Sequence, residues 1–233
     1  MLSRRWRLTA FLLLLVVVFL ALGTWQVQRL SWKLDLIAHV EARVHAAPVP
    51  APARAAWGGV NARDDGYRRV TATGLFEHDR SVLVQAVTQL GAGFWVVTPL
   101  RLDDGLTILV NRGFVPAEKR DPAARIASEI AAGPVTVTGL LRITEPGGAF
   151  LRSNDPANGR WYSRDVAAIA AAEGLSDVAP YFIDADATPN PGGLPVGGLT
   201  VVAFRNSHLV YALTWYVLAA MSAYGVYRVR RLG

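Results

Sequence analysis

The chain contains no cysteine. Disulfides are thereby excluded, and so are thiol nucleophiles and every metal site built on thiolates. Signatures of common enzymes are missing too. No Gly-x-Gly-x-x-Gly opens a helix after a strand, no phosphate-binding loop occurs, and no Gly-x-Ser-x-Gly is found. Histidine is scarce. His39, His45, His78 and His208 form no helical metal-binding pair, and no zinc-type cluster arises from them without cysteine. The carboxylates Asp64-Asp65, Asp103-Asp104 and Asp184/Asp186 read as turn and solvated-surface residues, and no spacing selects a general acid/base dyad among them.

What the chain does have is two long apolar runs. Residues 8–23 follow Arg4, Arg5 and Arg7, and residues 209–227 precede Arg228, Arg230 and Arg231. At ~1.5 Å per residue, the second run is about long enough to cross a bilayer as one helix. Lys/Arg excess beside a span marks its cytoplasmic side, so both termini read as inside and the long middle as outside. The net charge of +6 is largely this topology signal, because six arginines sit at the two ends. A nucleic-acid role has little support, since these basic residues flank spans and form no stripe with aromatics. A charged start, an apolar core and the small residues Ala21 and Gly23 also describe a cleavable signal peptide. Two features favour an anchor instead. Trp6 and Trp25 bracket the run as interfacial residues, and Leu30, Leu34, Ile37 and Val44 continue a helical pattern beyond it.

The spacing predicts a membrane helix over 8–26, an amphipathic stem over 27–45 and a Pro/Ala connector over 46–56, where X-Pro steps oppose helix. A β-rich domain is expected over 57–204. Its strands are placed at 67–74, 81–88, 93–102, 106–114, 134–143, 181–184 and 199–204, with a hairpin turn at Asp103-Asp104-Gly105. Helices are expected at 122–132 and 165–173, with Asp165 as an early-helix acid and Gly174 as the stop. Residues 189–198 read as a loop leading to the second membrane helix, 205–227. Residues 1–7 and 228–233 are the expected cytoplasmic ends. The fold class is α+β: two transmembrane helices flank an exported, mostly antiparallel β domain, barrel-like or sandwich-like, with short helices.

Two places stand out chemically. In Asn111-Arg112-Gly113-Phe114-Val115-Pro116, the glycine suits a bulge and the proline a strand end. The sharper alternative makes Arg112 an anion or propionate contact. His208 lies at the outer rim of a greasy helix, where an ionisable group is costly unless used. Neutral imidazole is a common axial ligand to haem iron. His208, Tyr211, Ala212, Trp215, Ala219 and Ser222 share one helix side. That stripe suits either a flat ring stacked on aromatics or close packing against the first helix through small residues. Physical chemistry alone leaves both open.

The chain resembles the Surfeit locus protein 1 family in an ordered set of motifs. These begin with Gly23-Thr24-Trp25-Gln26-Val27-Gln28-Arg29 and Trp32-Lys33-Leu34, followed by Val97-Thr98-Pro99 and the run from Thr107 to Pro116. Arg142-Ile143-Thr144-Glu145, Asn154-Asp155-Pro156, Trp161-Tyr162-Ser163-Arg164-Asp165 and Phe182-Ile183-Asp184-Ala185 come next. Arg205-Asn206-Ser207-His208-Leu209 and Thr214-Trp215-Tyr216 close the set. The signature near the first strands is met only in Gly74-Leu75-Phe76, which leaves His78 without an implied role.

The resemblance implies a non-enzymatic assembly factor for haem a-containing cytochrome c oxidase. Such a factor would bind haem a and aid its insertion into the catalytic subunit. The implied axial ligand, and the only implied metal contact, is His208 through the haem iron. Tyr211 and Trp215 are the candidate ring contacts, and Arg205 and Arg112 the candidate propionate contacts. Expected partners are the oxidase catalytic subunit, haem a synthase and the lipid bilayer. The implied location is the inner membrane of a bacterium, multi-pass, with the central domain periplasmic. The alternatives are a scaffold that binds oxidase subunits without holding haem, and a membrane-anchored enzyme working through the central domain.

Overall fold

The computed structural model describes residues 4–128, 133–149, 151–202, 204 and 206–231. Its α-helices are α1 (Arg4–His45), α2 (Val166–Ala172) and α3 (His208–Arg231). Nine strands accompany them among the described residues: β1 (Val49–Pro50), β2 (Arg69–Phe76), β3 (Val82–Thr88), β4 (Gly91–Leu102), β5 (Thr107–Pro116), β6 (Val135–Ile143), β7 (Gly148–Ala149), β8 (Arg152–Ser153) and β9 (Val178–Ala185). The chain divides into two units, Met1–His39 with Val202–Gly233, and Val40–Val201.

In the first unit the apolar runs form helices because nothing within them breaks the backbone ladder. Both helices are long and apolar enough to cross a membrane. Their most apolar windows are only 11% and 17% buried. A core helix of a water-soluble domain would hide that surface, whereas a lipid-facing helix displays it. The two helices meet in an antiparallel register. Leu12 lies against Gly225, Phe19 stacks on Trp215 at 5.6 Å, and the Tyr216 ring covers Gly23. Thr9, Ala212, Ala219 and Ser222 are buried. Small residues let backbones approach, which is what drives helix pairing where no hydrophobic effect operates. α1 runs without interruption across the boundary expected at 26/27 and ends before Pro48, consistent with the bias of X-Pro steps against helix.

The second unit is built on a sheet that closes on itself. Its ring runs β2-β6-β9-β5-β4 and returns to β2 through Gly74↔Leu102 and Phe76↔Leu100. The pairs are antiparallel except β5 with β9 and β1 with β2. Of the two β architectures expected, the closed barrel is the one observed. β3 continues along the same β4 edge as β2, from Val82↔Val97 to Thr88↔Gly91. Between them residues 77–81 leave the sheet opposite Thr98-Pro99, where Pro99 offers a carbonyl to Glu77 N–H but no donor of its own. Asp103-Asp104-Gly105 makes the β4–β5 turn, with Gly105 at φ +81°.

Inside the barrel lie Val70, Leu100, Ile108, Val110, Leu141, Tyr181 and Ile183. A second cluster, Val82, Val84, Val97, Leu109, Trp161, Ile169 and Phe182, includes α2. β5 carries residues of both clusters, hence its unbroken burial from Thr107 to Val115. Asp165 caps α2 by accepting from Ala168 N–H at 3.1 Å, and Gly174 at φ +62° ends it.

Three expectations are corrected. The connector carries a two-residue strand, because β1 lies beside β2 through Val49↔Val70. Residues 122–132 do not form one α-helix. Pro122–Ser128 is 3-10 with a kink at Arg125, and residues 129–132 lie outside the described residues. No strand forms among the described residues of 199–204. β5 is already paired on both sides along most of its length, and only Val196 finds a bridge, to Phe114. Gly198 at φ +72° then turns the chain away.

Candidate functional site

His208 is the first residue of α3, and the side chain of Asn206 caps its backbone N–H at 3.3 Å. Its ring Nδ1 lies 2.8 Å from Oε1 of Gln26 on α1. An amide oxygen is an acceptor, so Nδ1 is the donor in this contact, and in the neutral ring the free lone pair is then on Nε2. A second partner that fixes the tautomer and the ring plane is what a metal-binding imidazole requires. Sequence reasoning did not single out Gln26 for this role. Its position within Gly23-Thr24-Trp25-Gln26, opposite the start of α3 in an antiparallel pair, was the available signal.

The stripe below His208 is used mainly for packing. Ala212, Ala219 and Ser222 are buried, and one face of Trp215 is stacked on Phe19 at an interplanar angle of 27°. Tyr211 is exposed. Leu209, Val210 and Leu213 are exposed as well, but at helical spacing they lie on the side of α3 turned away from His208. Arg205 lies outside the described residues. Among the described residues no group of three His, Cys, Asp or Glu is placed to hold a metal ion.

Arg112 belongs to the barrel unit. It is the residue skipped where the β4–β5 register shifts, since Val96 pairs with Gly113 and Val97 with Asn111. Gly113, at φ +136°, has no space for a Cβ, which would collide with the Val196 carbonyl. The bulge directs buried Arg112 to the mouth of the barrel. There it donates to Nδ1 of His78 at 3.0 Å and to Oδ1 of Asn190 at 3.3 Å, and stacks over Phe76. Burial, followed by the charges of Arg112 and Arg125, lowers the His78 imidazole to about 4 against a weaker pull from Asp79. A cavity of about 250 Å³ opens at this mouth between Phe76, Val110, Arg112, Val137 and Thr188.

A second polar centre contradicts the sequence reading of Asp184 as surface. The residue is 2% exposed. Its Oδ1 accepts from Asn111 Nδ2 at 2.8 Å and Arg164 Nη1 at 3.0 Å, and its Oδ2 from Arg142 Nη1 at 2.8 Å and Thr200 Oγ1 at 3.0 Å. Arg164 also grips Glu145 through Nε and Nη2. Burial alone would raise the Glu145 carboxyl, but hydrogen bonds and charge from Arg164, joined by Arg142, outweigh it and hold it below its ordinary value. Burial likewise opposes the charge of Arg164, and Asp184 with Glu145 reverses that and raises it. Two carboxylates thus balance two guanidiniums at the floor of a cavity of about 480 Å³, walled by Trp95, Leu199 and Val201. The network joins β5, β6, β9, the segment before α2 and the loop after β9.

A model described as the SURF1 family matches residues 13–220. The chain belongs to the SURF1 family. It is 41% identical to Surfeit locus protein 1 of Homo sapiens over 232 residues, covering 91% of this chain and 74% of that protein. Identity to the Mus musculus protein of the same name is 40% over 230 residues, covering 92% and 72%. With that of Takifugu rubripes it is 35% over 231 residues, covering 92% and 93%. The SURF1 match contains Gln26, Arg112, Asp184 and His208, so the barrel, most of α1 and the first half of α3 lie within the matched span.

Proposed function

We propose that this SURF1-family chain is a non-enzymatic assembly factor for haem a-containing cytochrome c oxidase, holding haem a at His208 and aiding its insertion into the catalytic subunit. The observation that carries the haem reading is the contact between His208, the first residue of α3, and Gln26, just past the apolar run of α1. One oriented imidazole is a sufficient protein ligand for haem iron. When bound, the haem supplies the redox-active iron that the oxidase will use; this chain only holds it. His208 offers Nε2, Gln26 fixes the ring, and an isoprenoid tail would reach the exposed Leu209, Val210 and Leu213 by passing around the flank of α3. Tyr211, and the face of Trp215 not stacked on Phe19, remain the ring contacts in this reading. Arg205 remains a propionate contact in this reading, while Arg112 belongs to the barrel unit and is not assigned to the haem at His208.

In the same reading both arginine-flanked termini lie on the cytoplasmic side and the barrel on the opposite face. The proposed membrane is the inner membrane of a bacterium, although the relatives named above are eukaryotic. The partners are the oxidase catalytic subunit, haem a synthase and the bilayer.

One observation favours a second reading, a scaffold that binds oxidase subunits without haem: the stripe below His208 is largely consumed by packing against α1. Cells lacking the chain should assemble oxidase with reduced haem a content. The wild-type gene should restore it, and a His208→Ala variant made at equal level should not. Full restoration by that variant would favour the scaffold.

A further inference from the structure

Residues 81–100 contain no Asp, Glu, Lys, Arg or His. They form the β3–β4 hairpin, which has β3 as the outermost strand of the sheet. Its outer edge is bridged once, at Val84↔Trp161, with Gln85 N–H donating to the Trp161 carbonyl at 2.9 Å. Beyond that point the tip is bare. Val87 is 86% exposed, Leu90 is 52% exposed, and Gly91 and Ala92 between the strands are exposed too. Val201, 80% exposed, lines the same cavity as Val87. Exposed apolar side chains from two distant stretches of chain therefore stand on the rim of one cavity, whose interior carries Arg142, Arg164 and Asp184, and exposed apolar groups so gathered mark interaction sites.

We infer that the tip of the β3–β4 hairpin, with Val201, docks into the interfacial layer of a lipid bilayer. The inference rests on the reading of α3 as a membrane span. Three observations select lipid as the occupant. The first is tether length: Val201 precedes the start of α3 by seven residues, so this patch cannot lie farther than about 24 Å along the chain from that helix. The second is composition, since a tip without charge meets no ion-desolvation cost on entering the headgroup and acyl boundary. The third is the flank. Arg152 donates to Gln85 at 3.1 Å and lies over the Tyr162 ring, placing a guanidinium and a phenol, the residue types that sit at headgroup level, on the side of the hairpin.

The absence of cysteine makes the test direct. Single Val87→Cys, Leu90→Cys and Val201→Cys variants of the full chain carry an environment-sensitive fluorophore in phosphatidylcholine nanodiscs. Asp104→Cys, at the opposite end of β4 and roughly 36 Å from the tip, is the control. Docking predicts quenching by headgroup-labelled nitroxide lipids at 87, 90 and 201, none at 104, and loss of quenching at 201 when Val87→Asp and Leu90→Asp are added. Labels that stay open to aqueous iodide would overturn it. So would labels shielded from both iodide and lipid quencher, as under a protein partner. A Val217→Cys label on the exposed face of α3 separates the two claims. If deep lipid quenchers fail to reach it, the span reading fails; if they reach it but not the tip, only the docking fails.

Discussion

Asp184 shows how one residue organises several elements. Each of its oxygens accepts two hydrogen bonds, and no water is needed to satisfy it. Removing it leaves the half-buried guanidiniums of Arg142 and Arg164 with Glu145 as their one remaining carboxylate partner among the described contacts. Asp184→Ala should therefore destabilise the protein by about 3–5 kcal/mol, seen as a large fall in the thermal midpoint of the purified full chain. His78 makes a different prediction. Its folded-state value lies below its ordinary one, so the unfolded chain binds the extra proton first, and stability falls as pH drops from 6.5 to about 4. His78→Gln should flatten that slope. Glu145, also lowered, contributes stability above its ordinary range that is lost as pH falls through its depressed value, so a loss in more acid solution should persist in the variant. Melting midpoints of both proteins across this range check the sign. His208 was legible as a candidate because it stands alone at the rim of an apolar helix. Gln26 and Asp184 were not, since an amide or a carboxylate shows its partners only after distant segments meet.

At the scale of elements, β2 to β6 were legible from alternation and turn residues to within about two positions. The expected 181–184 is the middle of the longer β9, and the two-residue strands β1, β7 and β8 were not legible. The Asp-Asp-Gly turn and the Asp165 cap were readable from local chemistry. What local pattern could not show was where paired edges run out. Residues 199–204 have the composition of a strand but find β5 already occupied, while Val49-Pro50 have the composition of a linker and find a free edge on β2. The bulge at Arg112-Gly113 was suggested by the glycine, yet only closure against Val196 makes it obligatory. For the helix pair, the account predicts that Ala219→Leu destabilises by about 1–3 kcal/mol, as overpacking does. Leu213→Ala on the exposed face should not. Thermal unfolding in detergent, compared at matched detergent concentration, distinguishes them.

For the whole molecule, the two apolar helices and the closed barrel follow from hydropathy and strand patterning, and the family from an ordered series of motifs running the length of the chain. In the proposed function, the arginines beside the spans mark the cytoplasmic side and the central domain belongs to the other side of the membrane. A haem at the rim of α3 would then have apolar surface below and polar surroundings above, which suits an amphipathic group with a long tail. The central claim is that His208 binds that haem. The most direct measurement is the absorption spectrum of the full chain purified from cells that make haem a, alongside His208→Ala prepared in the same way. The account predicts a Soret band in the wild-type protein and its loss in the variant at equal yield. Full haem a occupancy in the variant, or no Soret band in the wild-type protein, would contradict it.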